Sequence, residues 1–113
     1  MKKYYAIYES SPVNHKQFNL IQVFTPNEKL ANMAADGKNI EMRRAGRDKD
    51  GAAGFCIQVV YVDDNQNVFL KRFIDPINKP GEFEYRDVRT EFEVLHEVEW
   101  FGTPDEAEEV CDE

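Results

Sequence analysis

Polar and apolar positions alternate in several stretches of this chain and fall into helical spacing in another, and these patterns set the expected architecture. The strongest lies between Gly54 and Ile74. Phe55, Ile57, Val59 and Tyr61 share one face of the first run, and Cys56, Val60 and Val62 share the other. Five residues, Asp63-Asp64-Asn65-Gln66-Asn67, then suit a turn, because Asp and Asn side chains bond their own backbone and tolerate left-handed conformations. A second β-rich run follows from Val68 to Ile74. A strand apolar on both faces needs cover on both sides, so this hairpin is expected in the middle of a sheet.

A second alternation runs from Glu91 to Trp100. Phe92, Val94, His96, Val98 and Trp100 take one face, and Glu91, Glu93, Leu95, Glu97 and Glu99 the other, as in a strand with one wet side. Lys3–Glu9 reads as the first strand of the chain. Ser10–His15 has turn chemistry, and Gln17–Phe24 reads as the second strand, with Phe18, Leu20 and Phe24 opposite Ile21 and Val23. Thr25-Pro26-Asn27-Glu28 fits a capping box with Thr25 as N-cap, and Leu30, Met33 and Ala34 continue it at helical spacing. Asp36-Gly37 predicts a helix end near Ala35. Residues 38–45 fit a second short helix, a continuation, or an irregular strand through Ile40 and Met42. Residues 46–54, rich in glycine and charge, read as a mobile loop.

Asp75-Pro76 and Lys79-Pro80-Gly81 punctuate the end of the central hairpin, and Phe83, Tyr85 and Val88 suggest a weak strand. Thr103-Pro104-Asp105-Glu106 repeats the capping-box pattern and predicts a short acidic helix to about Val110, within an acidic tail over 103–113. The expectation is one α+β domain over residues 1–113. It has a mainly antiparallel sheet of about five to six strands, helix cover on one face, and the order β-β-α-(loop)-β-β-β-(β)-α.

Composition narrows the class without naming a function. At 113 residues, with 42% apolar residues and eight Phe, five Tyr and one Trp, the chain can bury a core of its own. No apolar run approaches the roughly 18 residues of a membrane helix, and Glu9 follows too soon for a signal peptide, so the reading is cytoplasmic without membrane contact. Cys56 and Cys111 read as free thiols.

Charge is strongly polarised. Residues 1–50 carry nine Lys/Arg against six Asp/Glu, residues 51–81 three of each, and residues 82–113 two against thirteen. The net charge of −8 therefore resides almost wholly in the last third, which favours encounters with a basic partner. On an extended strand Glu91, Glu93, Glu97 and Glu99 would recur at multiples of ~6.6 Å, the order of the spacing of backbone phosphates. With Asp105 and Glu106 they form a candidate protein-binding face, for which Tyr85, Trp100 and Phe101 are candidate apolar anchors. The competing reading is a solvated face that discourages edge pairing.

Lys38, Arg43, Arg44, Arg47 and Lys49 form the one basic cluster, a candidate grip on phosphates that lacks any Walker or dinucleotide spacing. The Asp63–Asn67 and Asp48–Gly51 stretches lack the glycine and glutamate of a calcium loop, so no metal and no cofactor are expected. His96, on the apolar face, and His15, in a turn, have no nucleophile or zinc pattern around them.

These features favour a non-enzymatic accessory or inhibitor protein, of the kind phages and mobile elements carry, which occludes the basic, nucleic-acid-binding surface of a protein partner. Single-stranded nucleic-acid binding through residues 38–49 and strand aromatics ranks second. A small-molecule enzyme built around His96 ranks third. The sequence leaves open homodimerisation through an uncovered edge strand.

Overall fold

In the computed structural model, which describes residues 1–13, 16–46 and 54–110, one long helix lies on a mixed sheet of an α+β fold. The elements are β1 (Lys2–Val13), β2 (Lys16–Thr25), α1 (Glu28–Arg44), β3 (Gly54–Val62), β4 (Val68–Asp75), β5 (Lys79–Asp87), β6 (Glu93–Trp100) and β7 (Glu108–Glu109). The path across the sheet is β5-β4-β3-β1-β2-β6, with β7 pairing the start of β1. All neighbours are antiparallel except β2 and β6, which run parallel.

The alternation in β1 sorts two cores. Ala6, Tyr4 and Tyr8 face one layer with Ile21, Phe24, Val60, Val62, Val68 and Leu70. Ile7 and Val23 face the other, where Ala31 and Ala35 of α1 press against them. Ile21 and Phe24 fall on the same side, and not on opposite sides as strict alternation predicts. A bulge explains this: Ile7 pairs with Val23, but Tyr8 pairs with Ile21, so Gln22 is the extra residue and the face switches.

β5 and β6 occupy opposite edges of the sheet, yet five residues connect them, Val88–Phe92, three of them in a 3₁₀ turn. A flat six-stranded sheet would separate its edges by about 24 Å, five spacings of ~4.8 Å, beyond what such a link spans. The sheet must therefore curl. Val88 and Phe92 are buried in the concave core, where Val94, Val98 and Trp100 of β6 also pack. A cavity of about 220 Å³ at the seam is lined from both sides, by Val68 and Val88 and by Val94 and Trp100.

Several local expectations give way to non-local contacts. Asn27 caps α1, its side chain accepting from the Leu30 amide at 2.9 Å. Thr25 is buried at the end of β2 and its hydroxyl has no hydrogen-bond partner among the described residues. The helix does not stop near Ala35 but runs through Gly37 to Arg44. Met42 is buried, and Asn39 clamps the start of β3, accepting from the Phe55 amide at 2.8 Å and donating to its carbonyl at 3.3 Å. These ties outweigh the roughly 1 kcal/mol that a mid-helix glycine costs.

β5 begins at Lys79, so the Lys79-Pro80-Gly81 punctuation lies inside a strand, at an edge where proline is tolerated. The expected acidic helix is absent: Pro104–Glu106 is a single 3₁₀ turn and Thr103 makes no side-chain cap bond. Glu108 and Glu109 instead form β7 opposite Lys3 and Lys2, two opposite-charge cross-strand pairs. The loop expected over 46–54 falls mostly outside the described residues, as do His15, Arg47, Lys49 and Cys111.

Candidate binding surfaces

The acidic edge is built on β6, and its geometry differs from a regular row. Leu20 and Ile21 of β2 pair with Glu93 and Val94, whereas Val23 and Phe24 pair with Glu99 and Trp100. Two steps on β2 thus match five on β6, so Leu95–Val98 bulge out of the ladder. Val94 and Val98 still reach the core, while Leu95, His96 and Glu97 are exposed. His96 is therefore on the surface and not on a packed apolar face, because the bulge breaks the alternation that placed it there. Even phosphate-like spacing along this strand is lost for the same reason.

Glu91 lies outside β6 and is engaged elsewhere. Its carboxylate accepts two hydrogen bonds from Arg72, Nε at 2.8 Å and Nη2 at 2.9 Å. That forked bond holds the Glu91 carboxyl below the usual carboxylate range and raises Arg72 in turn. Glu91 braces β4 against the 3₁₀ turn and contributes no free charge to the acidic edge.

Glu93, Glu97, Glu99, Asp105 and Glu106 are exposed, and none makes an ion pair with another described residue. They follow the edge of β6 and the turn beyond it. That turn is pinned close to α1's entry: Gly102 has φ +99°, and a Cβ there would meet Pro26 at 2.8 Å. Phe101 donates its amide to the Phe24 carbonyl at 2.9 Å and leaves its ring exposed. The ring borders a cleft of about 280 Å³ between α1 and β6, lined also by Met33, Ala34, Lys38, Glu41 and Glu99.

The other two candidate anchors are placed differently. Trp100 is half-buried in the core, tilted on Phe24 at 4.7 Å and edge-on to Tyr4 at 5.7 Å. Tyr85 sits on β5, at the opposite edge of the sheet, packed edge-on against Tyr61 and Phe83. Of the three, the structure brings Phe101 alone to the acidic edge.

The basic cluster does not converge among its described members. Lys38 lies over the Phe55 ring at 5.9 Å, while Arg43 and Arg44 end the helix, where they complement its dipole. Asp63 closes its turn by accepting from the Asn65 and Asn67 amides, each at 2.9 Å, and from the Asn67 side chain, bonds that hold its carboxyl below the usual range. Among the described residues no group of three or more His, Cys, Asp and Glu side chains could hold a metal, and no helix is long and apolar enough to cross a membrane.

A feature the pattern reading passed over is the β4–β5 ribbon. β3 pairs with β4 only at Tyr61/Phe69 and Val62/Val68, whereas β4 pairs with β5 from Phe69/Asp87 to Asp75/Lys79. The ribbon therefore leaves the sheet after its root. Phe73 and Ile74 are each 57% exposed and Ile77, at the tip, 87%. Its signal in the sequence was the return of two apolar residues, Phe73 and Ile74, after Lys71-Arg72 and directly before the Asp75-Pro76 break.

No family model, curated protein or solved structure matches this chain.

Proposed function

We propose that this protein is a binding module that docks its acidic edge on a basic surface of a protein partner and so occludes it. One observation carries the reading: five exposed carboxylates, Glu93, Glu97, Glu99, Asp105 and Glu106, follow one edge of the sheet without a described counter-ion. Unpaired like charges on one rim raise the local potential and speed encounter with a surface of opposite sign. Phe101 and Met33, both exposed beside Glu99, supply apolar contact once the surfaces meet. Glu91 has no part in it, because Arg72 already holds its carboxylate.

The test is capture from the source cell's lysate, with and without nuclease. Wild type is compared with a Glu93→Gln/Glu97→Gln/Glu99→Gln variant and with Glu91→Gln. The expected result is one partner held by wild type and by Glu91→Gln, lost from the triple variant, and insensitive to nuclease. Equal capture by the triple variant would overturn the acidic-edge reading. Capture that disappears with nuclease would move the contact to nucleic acid.

A further inference from the structure

The two edges of the sheet are protected unequally, and the less protected one is self-complementary. β6 is bulged, lined by glutamates and paired in parallel to β2. The bulge and the run of like charges discourage a further strand. Along Glu82–Asp87 β5 is unbulged and its charges are of mixed sign, with Arg86 among Glu82, Glu84 and Asp87. Among the described residues β4 is the one strand that pairs with it, the register is unbroken from Phe69/Asp87 to Phe73/Phe83, and its proline and positive-φ glycine, Pro80 and Gly81, lie before that stretch. Its outer row of backbone donors and acceptors has no strand partner among the described residues.

Charge singles out this edge for a second copy of the chain. Residues 68–87 carry four Lys/Arg and four Asp/Glu, so the ribbon is neutral in a molecule of net charge −8. Two copies repel each other least there. The same ribbon exposes Phe73, Ile74 and Ile77, and an exposed apolar group of this kind marks a contact surface.

We infer that two copies pair antiparallel through β5, about a two-fold axis at Tyr85. Antiparallel pairing that continues both sheets sets residues of the same face opposite each other, so the axis must pass through a residue. An axis at Phe83 sets Glu82 against Glu84 twice, and an axis at Glu84 or Arg86 sets that residue against itself. Directly opposed like charges destabilise a ladder. An axis at Tyr85 instead sets Glu84 of each copy against Arg86 of the other. Glu84 and Arg86 already bond at 2.6 Å within one strand, so the axis gathers two carboxylates and two guanidiniums in a balanced cluster. One open edge and one blocked edge give a closed dimer and not a filament. The contact is short, so the dimer forms in a concentration-dependent manner. This inference does not rest on the acidic-edge reading.

Sedimentation of wild type across a hundredfold range of concentration is expected to show a monomer–dimer equilibrium. Glu84→Arg and Arg86→Glu, which set like charges face to face, shift it at least tenfold toward monomer, and the double swap restores it. In a Cys56→Ser/Cys111→Ser background, Tyr85→Cys is expected to form a disulfide dimer on oxidation while Glu82→Cys does not. Circular dichroism checks that each variant is folded. The charge swaps leave the Tyr61–Tyr85–Phe83 packing intact, so they decide the matter if Tyr85→Cys fails to fold. A monomer at every concentration overturns the dimer. Crosslinking at Glu84→Cys in preference to Tyr85→Cys overturns the register, as does a double swap that stays monomeric.

Discussion

At one edge of the sheet β6 gives up regular pairing but sends Val94, Val98 and Trp100 into the core; at the other, β5 keeps a regular ladder from Asp87 to Phe83 while its apolar side chains form a small aromatic group of their own. Tyr61, Tyr85 and Phe83 make that group edge to face, with the Lys71 ammonium 4.1 Å from the centre of the Phe83 ring. The two edges separate two jobs that a strand does at once, hydrogen-bonding along its length and burying side chains on its faces. β6 is held mainly by packing and its backbone is free to bulge. The outer part of the ribbon is held mainly by its ladder, the weaker arrangement for an isolated strand pair in water.

Removing packing from each edge in turn exposes the difference. Trp100→Ala takes away the ring that joins β6 to Phe24 and Tyr4, and it is expected to cost about 3 kcal/mol, the low end for an aromatic truncation because the ring is half-buried. Phe73→Ala, near the ribbon's tip, is expected to cost under about 1 kcal/mol, since more than half of that side chain is already in water. Urea unfolding of the two variants measures both. Similar midpoints would mean that the ribbon is packed as firmly as β6, contrary to the comparison.

A smaller effect sharpens the same point at the root of the ribbon. Arg72→Met breaks the forked bond to Glu91, and the loss is expected to be about 0.5–1 kcal/mol at neutral pH, discounted because both side chains are about one-third exposed. The pair lowers Glu91's pKa in the folded state. Its contribution is therefore present above the ordinary carboxylate range and fades as pH falls through Glu91's lowered value. Wild type and Arg72→Met are expected to differ more at pH 7 than at about pH 3, which lies nearer Glu91's lowered value. Urea midpoints at the two pH values check this; a gap that persists undiminished in acid would assign the loss to the arginine's packing.

How much of this was legible beforehand depended on the range of the interaction. The α+β class, the strands around Tyr5, Val23 and Val60, and the existence of a helix after Pro26 follow from local periodicity. What escaped was set at a distance. Gly37 looks like a stop until Asn39 is seen to hold Phe55. The Glu91–Trp100 alternation looks regular until β2 is laid beside it and five steps must match two. Glu91 looks like one of a row of acids until Arg72, 19 residues earlier in the chain, takes its carboxylate. All six acidic residues singled out stay exposed, but one of them, Glu91, is paired, because exposure of charge is a local property and pairing is not.

The short strand β7 has a consequence for how the molecule is made. The Val110 amide donates to the Met1 carbonyl at 2.8 Å, and Glu109 and Glu108 flank Lys2 and Lys3. β1 lies inside the sheet, yet part of its ladder is contributed by residues translated more than a hundred positions later. At ordinary elongation rates that interval is on the order of 10 s. During it the first residues of β1 await one of their neighbours, and the last step of assembly is the arrival of a pair of glutamates at a pair of lysines. Closure by such distant contacts is slow to search and late to form, so a released chain truncated before Glu108 would expose the Lys2–Lys3 edge of β1.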